Sequence, residues 1–195
     1  MRFDEAIYAH FLRQRRARFS QNPTRFVGCK IVSVGNITTG GTGKTPTVQW
    51  LARRLMQNEK RVAIVSRGYG GTLSKAGAVV SDANRVLVSA HEAGDEPILH
   101  ARALENVPVV IGRDRVRAVQ TTTENFAPDV IILDDAFQYW SLFRDFDLLL
   151  LDARKPFGNG HLLPRGRLRE EPKQLQRAHA ILLTRSDAAD RKSVV

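Results

Sequence analysis

The sequence predicts an α/β fold: a mostly parallel sheet with helices on both faces. Three observations predict it. Near-continuous apolar runs, such as Ile31–Val34, Val62–Val65 and Val130–Leu133, alternate with segments of helical spacing. The first run leads through a glycine-rich turn into a helical pattern. A later run ends in the acidic pair Asp134-Asp135.

Taken in order, residues 1–18 form an amphipathic helix, with Phe3, Ile7 and Phe11 four apart, Tyr8 and Leu12 beside them, and arginines following. Such a helix either packs on the domain or lies on an anionic membrane surface. Segment 19–27, with Asn22-Pro23, is a loop, so 1–27 precedes a domain over 28–195. "CKIVSVGN" is the first strand, and 44–57 is a helix with Val48, Leu51, Leu55 and Met56 at helical spacing. "RVAIVSRG" is the second strand, and "GAVVSDANRVLVS" reads as a small hairpin insertion turning at Asp82-Ala83-Asn84. A helix follows Gly94, then the strand "VPVVIG", a helix near 113–123, and the strands "PDVIILDD", "DFDLLLLD" and "AHAILLTR". Residues 154–175, rich in Gly, Pro and Arg, read as a long surface loop with a short helix.

The 195 residues are enough for one α/β domain, and 30 Lys and Arg against 20 Asp and Glu give a net charge of +10. That field favours an anionic partner such as a phosphorylated substrate or a negatively charged membrane. No aromatic-basic binding motif accompanies it, so nucleic acid is not the expected partner. The single Cys29 excludes an internal disulfide and a multi-cysteine zinc site. No apolar run reaches the roughly 18 residues of a membrane span, and no signal-peptide pattern opens the chain. A cytoplasmic location is expected.

The turn reads Thr38-Thr39-Gly40-Gly41-Thr42-Gly43-Lys44-Thr45. Its glycines let backbone N–H groups converge on phosphate oxygens at a helix N-terminus. Lys44 is placed for the β- and γ-phosphates and Thr45 for Mg²⁺. Thr38 stands where the strict P-loop has glycine, the most replaceable position because it only starts the turn. Asp134 and Asp135 fit the acidic strand end that a Mg²⁺-nucleotide site requires. The fold is therefore P-loop NTPase-like. Partitioning ATPases carry a lysine where Thr39 stands, which argues against a dimer-gated ATPase.

A kinase also needs a group for the acceptor hydroxyl and cations for the transferred phosphoryl group. "EAGDEP" puts Asp95 and Glu96 at a helix start, where the dipole favours carboxylates. Arg67, Arg113 and Arg115 follow strand ends, on the crevice side of an open sheet. "LLPRGRLREE" adds Arg165, Arg167 and Arg169 on a flexible segment.

"VSVGNITTGGTGKTP", "VAIVSRGYGG", "EAGDEP", "DRVRA", "ILDDAFQ" and "LLPRGRLREE", in this order, resemble the successive motifs of the tetraacyldisaccharide 4′-kinase family. The resemblance implies transfer of phosphate from ATP, with Mg²⁺, to the 4′-hydroxyl of tetraacyldisaccharide 1-phosphate in lipid A biosynthesis. It implies a peripheral location on the cytoplasmic face of the inner membrane. It also implies Asp95 as base, with Lys44, Glu96 and Arg169 as further catalytic residues. Arg67, Arg113, Arg115 and Arg167 are the implied contacts to phosphates of nucleotide or lipid. A second, C-terminal α/β lobe is implied too, as a separate or missing partner of these residues.

Two positions depart from the family pattern: Ala136 replaces glycine and Tyr139 replaces histidine in "DDAFQYW". Ala136 is expected to narrow the approach to the acidic pair. The alternatives are an NTPase switch or assembly factor, with Gln138 as candidate water-positioning residue, and an incomplete nucleotide-binding remnant. Thr184-Arg185-Ser186-Asp187 is loosely similar to the base-reading TKxD of GTPases.

Overall fold

The computed structural model describes residues 3–188; residues 1–2 of the expected first helix and 189–195 of the expected domain lie outside the described residues. The strands are β1 (Lys30–Asn36), β2 (Val62–Ser66), β3 (Ala78–Ser81), β4 (Val109–Ile111), β5 (Val130–Asp134), β6 (Phe146–Asp152) and β7 (Ala180–Thr184). They form one sheet in the order β3-β4-β2-β5-β1-β6-β7. All neighbours are parallel except β3, which runs antiparallel to β4. The helices are α1 (Phe3–Phe19), α2 (Lys44–Met56), α3 (Ala90–Ala93), α4 (Asp95–Ala103) and α5 (Arg115–Phe126).

The apolar runs lack polar alternation because both faces of the sheet are covered. Val62 and Ile64 of β2 pack with Val48 and Ala52 of α2 and Ile98 of α4. Their neighbours Ala63 and Val65 point the other way, onto Ala118 and Val119 of α5. On that second face, Leu149 and Leu151 of β6 receive Tyr8, Ala9 and Leu12 of α1. The apolar residues of α1 therefore divide. Tyr8, Ala9 and Leu12 turn inward, whereas Ile7 and Phe11 are 41% and 64% exposed. Among the described residues no helix is long and apolar enough to cross a membrane.

The small hairpin forms only in part. After β3, the chain returns with one bridge, Ser81 to Val86, and two backbone bonds, from Asp82 N–H to the Arg85 carbonyl and from Leu87 N–H to the Val80 carbonyl. Val86 and Leu87 stay 40% and 43% exposed. Asp82 accepts the N–H groups of Asn84 and Arg85, and Ser89 already caps α3, so no length remains for a second strand. At the opposite edge, β7 pairs with β6 alone among the described residues, and its Ile181, Leu182 and Leu183 are 39–47% exposed.

Segment 154–175 is not the flexible surface loop its composition indicates. Leu162 and Leu168 are buried in the same cluster as α1, and Pro172–Arg177 forms a 3-10 helix. Leu168 bridges antiparallel to Thr38, with Thr39 N–H bonded to the Arg167 carbonyl and Arg169 N–H to the Ile37 carbonyl, each at 2.7 Å.

Candidate active site

Parallel pairing gathers the chemistry at the carboxyl ends of the strands. Val34 of β1 is in register with Asp134 of β5, so the glycine turn after β1 and the acidic pair after β5 lie side by side. A cavity of about 560 Å³ opens there, lined by Thr38, Thr39, Gly40, Lys44, Ser66, Arg67, Tyr69, Asp95, Glu96, Asp134, Asp135 and Arg169. Residues from three separate strand ends, the start of α4 and the pinned segment thus meet in one hollow. A second cavity, of about 350 Å³, borders the other side of the same turn, between Thr38–Thr42 and Asp152, Arg154, Lys155, Arg167 and Arg185.

The turn itself is preorganised. Gly43 caps α2 in the left-handed conformation and offers no side chain to the first N–H groups of the helix, which are left for an anion. Asn36, buried at the end of β1, donates from Nδ2 to the Thr42 hydroxyl at 2.8 Å and holds the turn from beneath. Lys44 Nζ lies 3.8 Å from Asp135 Oδ1, and Arg169 Nη1 contacts both oxygens of Asp135, at 2.8 and 2.9 Å. Asp135 takes a left-handed φ of 53° with its N–H on the Val34 carbonyl, which turns its carboxylate back toward these cations.

Asp95 reaches the cavity through two glycine loops packed backbone on backbone. Gly94, at φ 88° and ψ 161°, sits where only glycine is comfortable, and a Cβ there would run into the Tyr69 carbonyl oxygen. A Cβ at Gly71 would meet the backbone of Glu92 and Ala93 at 2.5 Å. "SRGYGG" and "EAGDEP" are therefore two halves of one contact. It carries Arg67 and Asp95 to the same wall.

Glu96, next to Asp95, has its carboxyl raised above the ordinary range, first by partial desolvation and then by the negative charges of Asp134 and Asp135. A raised carboxyl pKa in the folded state means that ionised Glu96 opposes folding above that pKa, and that the penalty fades as pH falls. Glu96→Gln is expected to melt about 1–3 °C higher than the wild type at pH 7.5. The two should coincide near pH 4. Calorimetric scans at the two pH values check this, and an equal difference at both would refute it.

The arginines separate. Arg67 and Arg169 line the main cavity and Arg167 the neighbouring one. Arg165 lies 3.7 Å from Glu5 of α1, away from the phosphate turn. Arg113 does not reach the crevice: after β4 the chain bends toward the β3 edge, Arg113 N–H bonds the Ser74 carbonyl, and its side chain faces solvent. Arg115 is buried at 3% exposure behind the wall, donating to the Gly112 carbonyl at 2.6 Å. Burial, with Arg67 nearby, lowers its pKa to about 10.

Ala136 does not narrow the approach to the acidic pair. Its methyl faces the α5 side, packed with Cys29, Ile31 and Leu142. Tyr139 accepts the Arg115 N–H and donates to Asp114 Oδ1, both at 3.2 Å, so it braces the start of α5. Gln138 donates to the Asn36 carbonyl at 2.7 Å and serves the end of β1. Sequence reasoning missed Asn36, Ser66 and Tyr69. Tyr69, set between glycines, carried a readable sign of an exposed loop, and it is 80% exposed on the cavity rim.

The Thr45 hydroxyl and the Asp134 and Asp135 carboxylates are the hard oxygen donors that suit Mg²⁺. Asp134 Oδ1 is buried with no hydrogen-bond partner among the described residues, which leaves it available to a cation. The residues fit the ion.

The chain matches the family model described as Tetraacyldisaccharide-1-P 4'-kinase over residues 3–194. A tetraacyldisaccharide 4'-kinase of Desulfatibacillum aliphaticivorans is 51% identical over 159 residues, 82% of this chain and 43% of that protein. One of Geobacter metallireducens is 51% identical over 164 residues, 84% of this chain and 48% of that protein. The chain thus spans about half the length of the curated relatives it matches. The crystal structure of LpxK from Aquifex aeolicus in complex with ATP superposes with a TM-score of 0.85 at 39% identity, covering 94% of this chain and 57% of that one. The signal recognition particle receptor FtsY of Elizabethkingia anophelis, at 17% identity and a TM-score of 0.54 over 98% of this chain and 61% of its own, shares the fold alone. The family match and the ordered motifs around one cavity lead to the same conclusion: the chain belongs to the tetraacyldisaccharide-1-P 4'-kinase family.

Proposed function

We propose that this chain carries the phosphoryl-transfer site of a kinase that moves the γ-phosphate of ATP to the 4′-hydroxyl of tetraacyldisaccharide 1-phosphate. The observation that carries the reading is one cavity holding a phosphate turn, an acidic pair, two arginines and Asp95 at a helix N-terminus. An NTPase switch has no use for Asp95 opposite the phosphate turn. Gln138, its candidate water-positioning group, is occupied in holding β1.

In this reading the nucleoside lies in the cavity beside Asp152 and Arg185, and its phosphates cross the turn toward Lys44. Backbone N–H groups and Lys44 hold the β- and γ-phosphates. Asp95 accepts the proton of the 4′-hydroxyl as its oxygen bonds to the γ-phosphorus, and the bond from that phosphorus to the bridging oxygen breaks to release ADP. Arg67 and Arg169 balance charge on the transferred group. Thr45, Asp134 and Asp135 would hold Mg²⁺, which would supply neutralisation of charge on the phosphates. The exposed Ile7 and Phe11 on an arginine-bearing helix support a peripheral position on an anionic membrane, and the choice of the cytoplasmic face of the inner membrane rests on the family resemblance alone.

The test is transfer of labelled γ-phosphate by the full chain in mixed micelles. Tetraacyldisaccharide 1-phosphate is compared with the same lipid already phosphorylated at the 4′ position. Label passing only to the free 4′-hydroxyl is the expected result. ATP hydrolysis at equal rates with both lipids and no labelled lipid would overturn the reading in favour of an NTPase.

A further inference from the structure

His100 belongs to none of the groups described so far. It lies in the middle of α4, five residues after Asp95, and its ring is completely buried. Apolar side chains of α4 and its neighbours, among them Ile98 and Leu104, form the core on this side of the sheet. A leucine would fill such a place as well, so the ring's polar atoms need a reason. Nε2 lies 3.1 Å from Oδ2 of Asp134, itself 1% exposed. A carboxylate oxygen can only accept, so the hydrogen is on Nε2 and is donated to Oδ2. The other Asp134 oxygen, Oδ1, has no hydrogen-bond partner among the described residues, and Asp134 lines the main cavity.

We propose that His100 is a positioning residue for the cation-binding carboxylate: its bond to Oδ2 fixes the plane of Asp134 and leaves Oδ1 free for a divalent ion. This rests on the reading of Asp134 as a cation ligand. An aspartate at a strand end turns easily about its terminal torsion, which has broad rather than staggered minima. A single donor on one oxygen removes that freedom and offsets the burial of the charge. Outer hydrogen bonds of this kind orient metal ligands in general. The placement also ties two functions to one rigid element, because α4 begins with Asp95 and holds Asp134 from its middle. The distance between base and cation is then set within one helix.

The experiment titrates Mn²⁺ into the full chain with a non-hydrolysable ATP analogue and follows free Mn²⁺ by electron paramagnetic resonance. His100→Leu fills the volume without a donor, and His100→Gln returns an N–H near the position of Nε2. His100→Leu is expected to weaken nucleotide-dependent Mn²⁺ binding about 10- to 100-fold, with His100→Gln recovering most of it. Thermal melts of both variants should show a cooperative fold. A folded His100→Leu that binds Mn²⁺ as the wild type does overturns the proposal, as do Leu and Gln variants that are equally deficient. A wild type that binds the nucleotide but no Mn²⁺ overturns the cation reading of Asp134 itself.

Discussion

Asp95→Asn is expected to lower phosphate transfer by about 10²- to 10⁴-fold, the usual worth of a positioned general base. The amide keeps the size of the side chain and cannot accept the hydroxyl proton. Asp95 is exposed at the first position of α4 and lines the cavity rather than the core. Its loss therefore removes about 0.3–1 kcal/mol of favourable charge–dipole interaction at most, too little to unfold the chain. The nucleotide site, built from β1 and α2, should bind ATP with unchanged affinity. Single-turnover transfer and ATP binding, measured side by side, separate the two. A loss of transfer below about tenfold would show that the proton leaves by another route.

Gly94→Ala is expected to cost about 3–5 kcal/mol, combining a backbone region closed to other residues with an overpacked contact. The added methyl has nowhere to go, because the Tyr69 carbonyl faces it from the neighbouring loop. For a chain of this length the melting temperature should fall by about 10 °C or more. Transfer should fall further than the folded fraction alone explains, since separating the loops moves Asp95 away from Lys44. A melting temperature within about 2 °C of the wild type would mean that the loops yield, and that Gly94 does not set the position of Asp95.

The parts legible in the sequence are those whose signals are local. Apolar runs of strand length, the glycine turn and the acidic pair each announce themselves within a few residues, and the sheet and nucleotide turn follow from them. Asp95 and Glu96 were legible as charges at a helix start, and the resemblance to a known family supplied their roles. The segment carrying Arg167 and Arg169 was not, because its shape comes from partners more than a hundred positions away. Thr38 and Ile37 pair with it, Glu5 Oε1 accepts the Leu162 N–H at 3.0 Å, and the Tyr8 hydroxyl reaches the Arg169 carbonyl at 3.2 Å. Long-range pairing leaves no period in the sequence. Arg113 and Arg115 show the limit of local reading. Adjacency after a strand fixes which edge a residue occupies, but the local turn decides which side chain faces solvent and which is buried. Asn36 bonds Thr42 and Arg169, and His100 bonds Asp134, through individual long- or mid-range hydrogen bonds for which no pattern exists.

The outer edge of β7 has a consequence for how the chain behaves in solution. Its unpaired row of amide and carbonyl groups, flanked by Ile181, Leu182 and Leu183, is a template on which another copy can zip. Among the described residues nothing covers it, and the net charge of +10 opposes the approach of a second copy. That repulsion reaches only about 10 Å at 0.1 M salt and about 3 Å at 1 M. Any pairing of copies along this edge is therefore expected to grow as ionic strength rises, which light scattering over a salt series would read.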